Sequence, residues 1–213
     1  MERERVTISI KKDVLARVDQ TVDGVSIRNR SHAIEHLITS AVGPANTKNA
    51  VILVGGRGAV KILPAIRDIL YGLRDNGFGR VYIALGSMAG NFKNDLGNGE
   101  NFDLDIEYLE GGEGSGGALL PLKKKFKDTF IVINPDEDTP KINLAGLVQF
   151  HKNHRVIATI GTDNLNEMRG IYVFEPELFN HLPKDFSMLE DDIFPKLAGV
   201  NQLIVYPTIA AKG

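Results

Sequence analysis

A glycine-rich turn before a helix-forming segment is the part of this sequence best suited to binding a phosphate group. It follows the apolar run Ala50–Val54 and consists of Gly55, Gly56, Arg57 and Gly58. Glycine leaves backbone N–H groups accessible, and the N-terminus of a helix attracts anions. These four residues are therefore candidate ligand-binding residues, and the glycines also suit a tight turn.

An acidic segment follows a second apolar run, at Asp136, Glu137 and Asp138. Carboxylate oxygens are ligands that Mg²⁺ prefers in proteins, so these side chains are candidate metal ligands. The same three residues also suit a polar loop between a strand and a helix, and the sequence leaves both interpretations open.

A second glycine-rich segment, residues 111–117, also has two interpretations. Bare backbone N–H groups bind anions, so Gly114, Gly116 and Gly117 are candidate ligand-binding residues. The same composition is typical of a mobile surface loop.

Polar and apolar residues alternate strictly at the start of the chain. Arg5, Thr7 and Ser9 lie on one side of a predicted strand, and apolar residues lie on the other. No second strand is predicted nearby, so pairing with the same strand of a second chain is the economical way to satisfy its backbone. Such an antiparallel ribbon presents arginine, threonine and serine side chains that can hydrogen-bond base edges in a major groove.

Two amphipathic helices are predicted after this strand, and the second opens at Asn29-Arg30-Ser31. Asparagine is a favoured N-cap residue, and the N–H groups behind it, near Arg30 and Ser31, form an anion site. The order of elements is therefore strand, helix, helix.

Residues 3 to 42 resemble the ribbon-helix-helix family of DNA-binding regulators, on the strand RVTISI and the helix start RNRSHAI. The resemblance implies a swapped β-ribbon homodimer that binds double-stranded DNA. Polar strand residues read bases in that family and the second helix holds a phosphate, which implies DNA contacts for Arg5, Thr7, Ser9, Asn29, Arg30 and Ser31. The alternative is an ordinary N-terminal strand added to the following domain.

The composition excludes several classes of protein. The chain of 213 residues has no cysteine, which rules out disulfides, thiolate metal sites and cysteine catalysis. No apolar run approaches a membrane span and no signal peptide opens the chain, so we expect a cytoplasmic protein without a membrane partner. Because the formal net charge is −2, DNA affinity has to come from the placement of charges in a dimer or higher homo-oligomer.

A polar connector with helix breakers separates two regions of different pattern. We predict an N-terminal domain over residues 1–43, a linker over 44–49 and a second domain over 50–213. Alternating strands and helices in the second domain favour an α/β sandwich with a largely parallel sheet. Strands are predicted at 50–54, 80–85, 104–109, 130–134, 156–160, 171–174 and 203–206. Helices are predicted near residues 88–97, 116–126, 142–153, 175–181 and 188–198, with another running from Gly58 to about Asn76.

The second domain is similar to the sugar-phosphate nucleotidyltransferases over nearly all of residues 50–207. The similarity is carried by the segments AVILVGGRG, RVYIALG, GSGGALL, FIVINPD, GIYVFEPELF and FSMLEDDIFPKL. It implies a compact Rossmann-like α/β/α sandwich. In that family the first glycine loop cradles the nucleotide phosphates, the counterpart of Gly114–Ala118 lies near the nucleobase, and an aspartate in the position of Asp136 holds the catalytic magnesium.

This chain departs from the family in the elements that hold the substrates. Family enzymes extend the first loop with an arginine and a Pro-Lys pair that bind the triphosphate, whereas here Gly58 leads almost directly into a helix. A Glu-Lys-Pro region that holds the sugar is missing between Asp163 and Gly170, and Arg169 replaces an asparagine. Losing the cationic loop is expected to slow transfer by several orders of magnitude. We therefore assign no catalytic residue and interpret the domain as a pseudoenzyme.

The sequence thus predicts a transcriptional regulator whose β-ribbon dimer binds operator DNA. Its non-catalytic nucleotidyltransferase-like domain is expected to drive oligomerisation or to sense a small ligand, for which the resemblance implies a nucleotide or sugar nucleotide with Mg²⁺ bound at Asp136. Two alternatives remain: an active sugar-phosphate nucleotidyltransferase that also regulates its own gene, and a scaffold whose second domain only brings dimers together.

Overall fold

The structure is a computed structural model that describes residues 6–24, 27–42, 49–55, 62–85, 92–110, 112–135, 143–162 and 170–207. The chain divides into two compact units, Met1–Gly43 and Pro44–Gly213.

The N-terminal unit contains two helices, α1 (Lys12–Gln20) and α2 (Arg30–Val42), which contact each other. Residues 6–10 form no strand within this single chain. Val6 and Ile8 are 71% and 56% exposed. The predicted ribbon therefore has no partner strand among the described residues, and it stays a prediction that requires a second chain.

Within the described residues, the second unit contains a seven-stranded sheet in the order β3-β2-β1-β4-β6-β5-β7. The strands are β1 (Asn49–Val54), β2 (Arg80–Leu85), β3 (Asp105–Leu109), β4 (Phe130–Ile133), β5 (Ala158–Thr162), β6 (Ile171–Phe174) and β7 (Leu203–Pro207). The expectation of a largely parallel sheet is confirmed with one exception. Strand β6 runs antiparallel to both of its neighbours, β4 and β5.

Two apolar clusters cover the two faces of this sheet. Ile52 and Ile133 belong to the cluster on one face, and Val51 and Val132 to the cluster on the other, because successive side chains of a strand point to opposite faces. The first face is covered by α3 (Leu63–Asp75), α4 (Phe92–Leu96) and α6 (Leu144–His154). The second is covered by shorter helical segments, which include α7 (Phe194–Gly199). The result is the predicted three-layer α/β/α arrangement.

The helix predicted near residues 116–126 is wrong as a continuous element. The structure has a single turn, α5 (Gly114–Gly117), followed by a 3₁₀ turn at Leu120–Leu122. Glycines are poor helix formers, and Pro121 lacks the N–H group that a continuing helix needs.

Two further helix predictions also change in type. Residues Pro176–Asn180 form a 3₁₀ helix, and the helix predicted near 188–198 begins as a π-helical turn, Leu189–Ile193, before α7. Helix α3 begins at Leu63, and residues 58–61 of the predicted helix lie outside the described residues.

A buried polar cluster forms at the amino edge of the parallel strands β4 and β5. His151 of α6 is 1% exposed; its Nδ1 lies 2.8 Å from the Thr159 hydroxyl and its Nε2 lies 3.2 Å from Glu175 Oε1. The Thr129 hydroxyl donates to the same carboxylate oxygen at 2.9 Å. Burial raises the pKa of Glu175, but the hydrogen bonds from His151 and Thr129 and the charges of His151 and Lys152 outweigh it, so that pKa lies below its usual range.

We predict that Glu175→Gln lowers the free energy of unfolding by roughly 1–3 kcal/mol at pH 7, because it weakens the hydrogen bond to the buried imidazole of His151. Folding lowers the pKa of Glu175, so its ionised form stabilises the fold above the ordinary glutamate pKa, and this contribution is lost as pH falls through the lowered value. Urea unfolding of both proteins between pH 7 and pH 3 should show the difference shrinking on acidification. The exposed neighbour Glu177, changed to Gln, is the control; a pH-independent difference would contradict this account.

Among the described residues, no helix combines the length and the apolar character needed to cross a membrane.

Candidate functional site

The carboxyl ends of β1 and β4 and the start of β6 meet at one edge of the sheet. Ile52 pairs with Ile133, and Ile133 pairs with Ile171 at the start of the reversed strand. The Asn134 N–H donates to the Gly170 carbonyl at 3.0 Å and so extends this contact beyond the strands. Open α/β sheets bind ligands at this edge, which makes it the candidate site.

One of the predicted phosphate-binding residues is described at this edge. Gly55 directly follows β1, is exposed, and has no described atom within 4 Å of where a Cβ would lie. The other residues predicted for phosphate and metal lie outside the described residues; they are Gly56, Arg57, Gly58 and Asp136. In the part of the chain that is described, no group of three or more His, Asp or Glu side chains is placed to hold a metal ion.

A carboxylate that sequence reasoning left without a role lies at the centre of a polar cluster at this edge. The Asn134 amide donates to Glu190 Oε1 at 3.1 Å, and the Tyr172 hydroxyl donates to the same oxygen at 2.9 Å. The Ser115 hydroxyl donates to Glu190 Oε2 at 3.0 Å and accepts from the Leu189 N–H at 2.8 Å. Three separate parts of the chain are therefore held by one side chain.

The glycine segment packs closely against the backbone of Ser187. The Gly116 N–H donates to the Ser187 carbonyl at 2.9 Å, and the Gly117 N–H is 3.4 Å from the same oxygen. A Cβ on Gly114 would lie 2.2 Å from that oxygen, and a Cβ on Gly116 would lie 2.5 Å from Ser187 Oγ. Two of the N–H groups expected to be bare thus have a partner inside the protein, and the glycines are needed for close approach. Ligand binding by Gly114, Gly116 and Gly117 stays a prediction.

In the N-terminal unit, the predicted base-reading residues Thr7 and Ser9 are exposed, and Arg5 lies outside the described residues. Asn29 caps α2, because its Oδ1 accepts from the His32 N–H at 2.9 Å. The Arg28 N–H also donates to His32 Nδ1 at 3.3 Å, which adds a second hydrogen bond between the first turn of α2 and the residues before it.

Arg30 makes a bidentate ion pair that the sequence analysis did not anticipate. Its Nε and Nη2 each donate to a carboxylate oxygen of Asp19 in α1 at 2.6 Å. The hydrogen bond and charge of Arg30 hold the pKa of Asp19 below its usual range. Arg30 was predicted to contact DNA, and its guanidinium is engaged by a carboxylate within the same unit, while Ser31 beside it is exposed.

Comparison with known proteins shows what the chain is similar to. No protein-family model matches the chain. The chain is 24% identical over 183 residues to the UTP–glucose-1-phosphate uridylyltransferase of Synechocystis sp., a match that takes in 63% of this chain and 47% of the relative. The chain therefore spans about half the length of the curated relative it matches. The aligned stretch is 183 positions long, but only 63% of the 213 residues of this chain fall within it. The relative therefore has residues within this stretch that the chain lacks.

Solved structures match over 76% of the chain. HddC from Yersinia pseudotuberculosis superposes with a TM-score of 0.58 at 19% identity over 91% of its length, and its complex with GMP-PN gives 0.57 at 18%. A Bacillus anthracis protein assigned as a glucose-1-phosphate thymidylyltransferase gives 0.52 at 15% identity over 87% of its length. The α/β unit has a nucleotidyltransferase-like fold.

The sequence motifs of the nucleotidyltransferase-like unit indicated part of the polar cluster around Glu190. Glu190 stands in the segment FSMLEDDIFPKL, which already pointed to the fold. Ser115 is 75 residues away from Glu190 and Asn134 is 56 residues away, so their contacts could not be read from spacing. The π-helical turn that carries Glu190 is a feature frequently found at functional sites.

We predict that Gly114→Ala lowers the free energy of unfolding by roughly 1–3 kcal/mol, because the new methyl group meets the Ser187 carbonyl at a φ of +78°. Gly72→Ala is the matched control, since it lies within α3 with open space around it and should stabilise that helix slightly. Urea unfolding measures both. Equal stability of Gly114→Ala and the wild type would contradict the packing role.

Proposed function

We propose that the nucleotidyltransferase-like unit binds a nucleotide or sugar nucleotide with Mg²⁺ at the carboxyl edge of its sheet. The observation that carries this proposal is the fold match, combined with an open glycine, Gly55, at the end of β1. The complex of HddC with GMP-PN supports it, because that protein has a similar fold and its structure was solved with GMP-PN. The glycine turn after Gly55 would hold phosphates, and Asp136 would hold the metal.

The first of two activities that require this binding is nucleotidyl transfer to a sugar phosphate. The names of the relatives favour it, since they are a uridylyltransferase and a thymidylyltransferase of glucose 1-phosphate. In the reaction, a phosphate oxygen of the sugar phosphate bonds to the α-phosphorus of the nucleoside triphosphate and pyrophosphate leaves. Catalysis of this step depends on positioning and on charge stabilisation.

Nucleotide sensing without transfer is the second activity compatible with the same binding step. The Synechocystis relative has insertions within the matched stretch. The sequence places two gaps where substrate-holding segments of the family are expected, after Gly58 and before Gly170. A unit without these segments keeps the glycine turn and loses part of the substrate clamp.

We predict that UTP binds the wild-type chain in the presence of Mg²⁺ and that Asp136→Ala weakens this binding about tenfold or more, because it removes a carboxylate from the proposed metal site. Calorimetry with UTP and MgCl₂ measures binding, and pyrophosphate release with UTP and glucose 1-phosphate measures transfer. Asp68→Ala, at an exposed carboxylate on α3, is the control and should leave both unchanged.

Pyrophosphate release that Asp136→Ala abolishes would establish transfer. Saturable UTP binding without pyrophosphate release would establish sensing. No heat from UTP, GTP or a sugar nucleotide at millimolar concentration would contradict the proposed site.

For the N-terminal unit, we propose that it dimerises and binds double-stranded DNA. Its specific support is the set of large apolar side chains that this unit leaves exposed, namely Val6, Ile8, Val14, Leu37 and Ile38. Burying apolar side chains against a second copy stabilises a dimer. In the proposed ribbon, Arg5, Thr7 and Ser9 face base edges, and the start of α2 at Asn29 and Ser31 faces a phosphate.

We predict that Ile8→Asp shifts the full chain toward smaller species in sedimentation and weakens its retention of double-stranded DNA in a gel shift by at least tenfold. A charge at this position costs much more in a buried ribbon than in water. Val200→Asp is the matched control, because Val200 is 59% exposed and Ile8 is 56% exposed, while Val200 belongs to the other unit. Unchanged sedimentation of Ile8→Asp would contradict the intertwined dimer.

A further inference from the structure

The polar cluster around Glu190 connects two segments at the edge of the sheet where the nucleotide site is proposed. Ser115 lies inside the glycine segment, and Asn134 lies at the carboxyl end of β4, two residues before Asp136. Both donate to the Glu190 carboxylate, one to each oxygen. The distance between these two segments is therefore set through a single side chain.

The geometry around the carboxylate leaves little freedom for either segment. Tyr172 of β6 donates to the oxygen that Asn134 also uses, and its ring is fully buried. The Ser115 hydroxyl makes two hydrogen bonds, because it donates to Glu190 and also accepts from the Leu189 N–H. The Met188 N–H donates to Asp192 Oδ2 at 2.7 Å, which fixes the π-helical turn that carries Glu190.

We infer that Glu190 is a positioning residue for nucleotide binding, which holds the glycine segment at its working distance from the strand end that precedes Asp136. This inference rests on the proposed nucleotide site at the same edge. A carboxylate is suited to the task because its two oxygens accept from several donors at once. An amide supplies only one such oxygen, so Glu190→Gln keeps the shape of the side chain and cannot accept from both sides.

The amino edge of the same sheet provides a matched control. Glu175 is also a partly buried carboxylate that holds two polar side chains, His151 and Thr129. It follows β6, whereas Tyr172 lies near the start of that strand, so the two clusters lie at opposite edges. A general loss of stability should accompany Glu175→Gln and Glu190→Gln alike, and a loss of nucleotide affinity should accompany only Glu190→Gln.

The test compares the full-length wild type with Glu190→Gln, Glu175→Gln and Ser115→Ala by calorimetry with UTP and MgCl₂. We expect Glu190→Gln to weaken UTP binding about tenfold or more, Ser115→Ala to weaken it less, and Glu175→Gln to leave it unchanged. Thermal melting of each variant separates affinity from stability. Ser115→Ala removes one donor and leaves the carboxylate in place, so it keeps the test decisive if Glu190→Gln does not fold.

The side-chain amide of Asn134 offers a readout that does not depend on turnover. In ¹⁵N spectra, its resonance should move on addition of UTP and MgCl₂ to the wild type and lose that response in Glu190→Gln. Wild-type binding that persists unchanged in Glu190→Gln and Ser115→Ala overturns the positioning role while leaving the proposed function intact. A wild type that binds no nucleotide overturns the proposed function and the positioning role together.

Discussion

The reversal of β6 between β4 and β5 is the constraint on which the polar chemistry of the α/β unit depends. In a wholly parallel sheet every strand would begin at the amino edge. Here β6 begins at the carboxyl edge, which brings Tyr172 to Glu190, and ends at the amino edge, which brings Glu175 to His151. Strand β6 and the residue that follows it thus supply a hydrogen-bonding partner to each polar cluster, and Val173 and Phe174 of the strand join the two apolar layers.

Glycine has two different uses in this fold. In the segment that begins at Gly114, it allows backbone to approach backbone, so that N–H groups reach the Ser187 carbonyl. At Gly55, by contrast, no described atom lies within 4 Å of the position that a Cβ would take. Among the described residues, glycine is therefore closely packed in one place and exposed in another, and only the three-dimensional surroundings distinguish the two.

The sequence predicted the α/β class of the second unit and the seven strands that the structure describes there, because buried strands carry continuous apolar runs. The bounds of β2 and β6 were predicted without error. The direction of β6 could not be predicted, because the pattern of apolar residues in a strand does not depend on the direction in which the strand runs. A continuous helix was predicted near residues 116–126, but Pro121 and the neighbouring glycines disfavour one, and the chain forms two short turns there. The roles of Glu190 and of the Asp19–Arg30 pair were missed because they depend on contacts between distant elements. The N-terminal ribbon stays a prediction, because its pairing involves a second chain.

The ion pair between Asp19 and Arg30 has a consequence for any polyanion that approaches the start of α2. The logarithm of a protein's affinity for a polyanion falls linearly with the logarithm of the salt concentration, and the slope grows with the number of phosphates that the protein's cations neutralise. A guanidinium that already shares two hydrogen bonds with a carboxylate displaces no counterion unless that pair opens. The salt dependence of such an association would then be shallower than the number of arginines and lysines in this unit indicates, and Asp19 would act as an internal competitor of constant effective concentration.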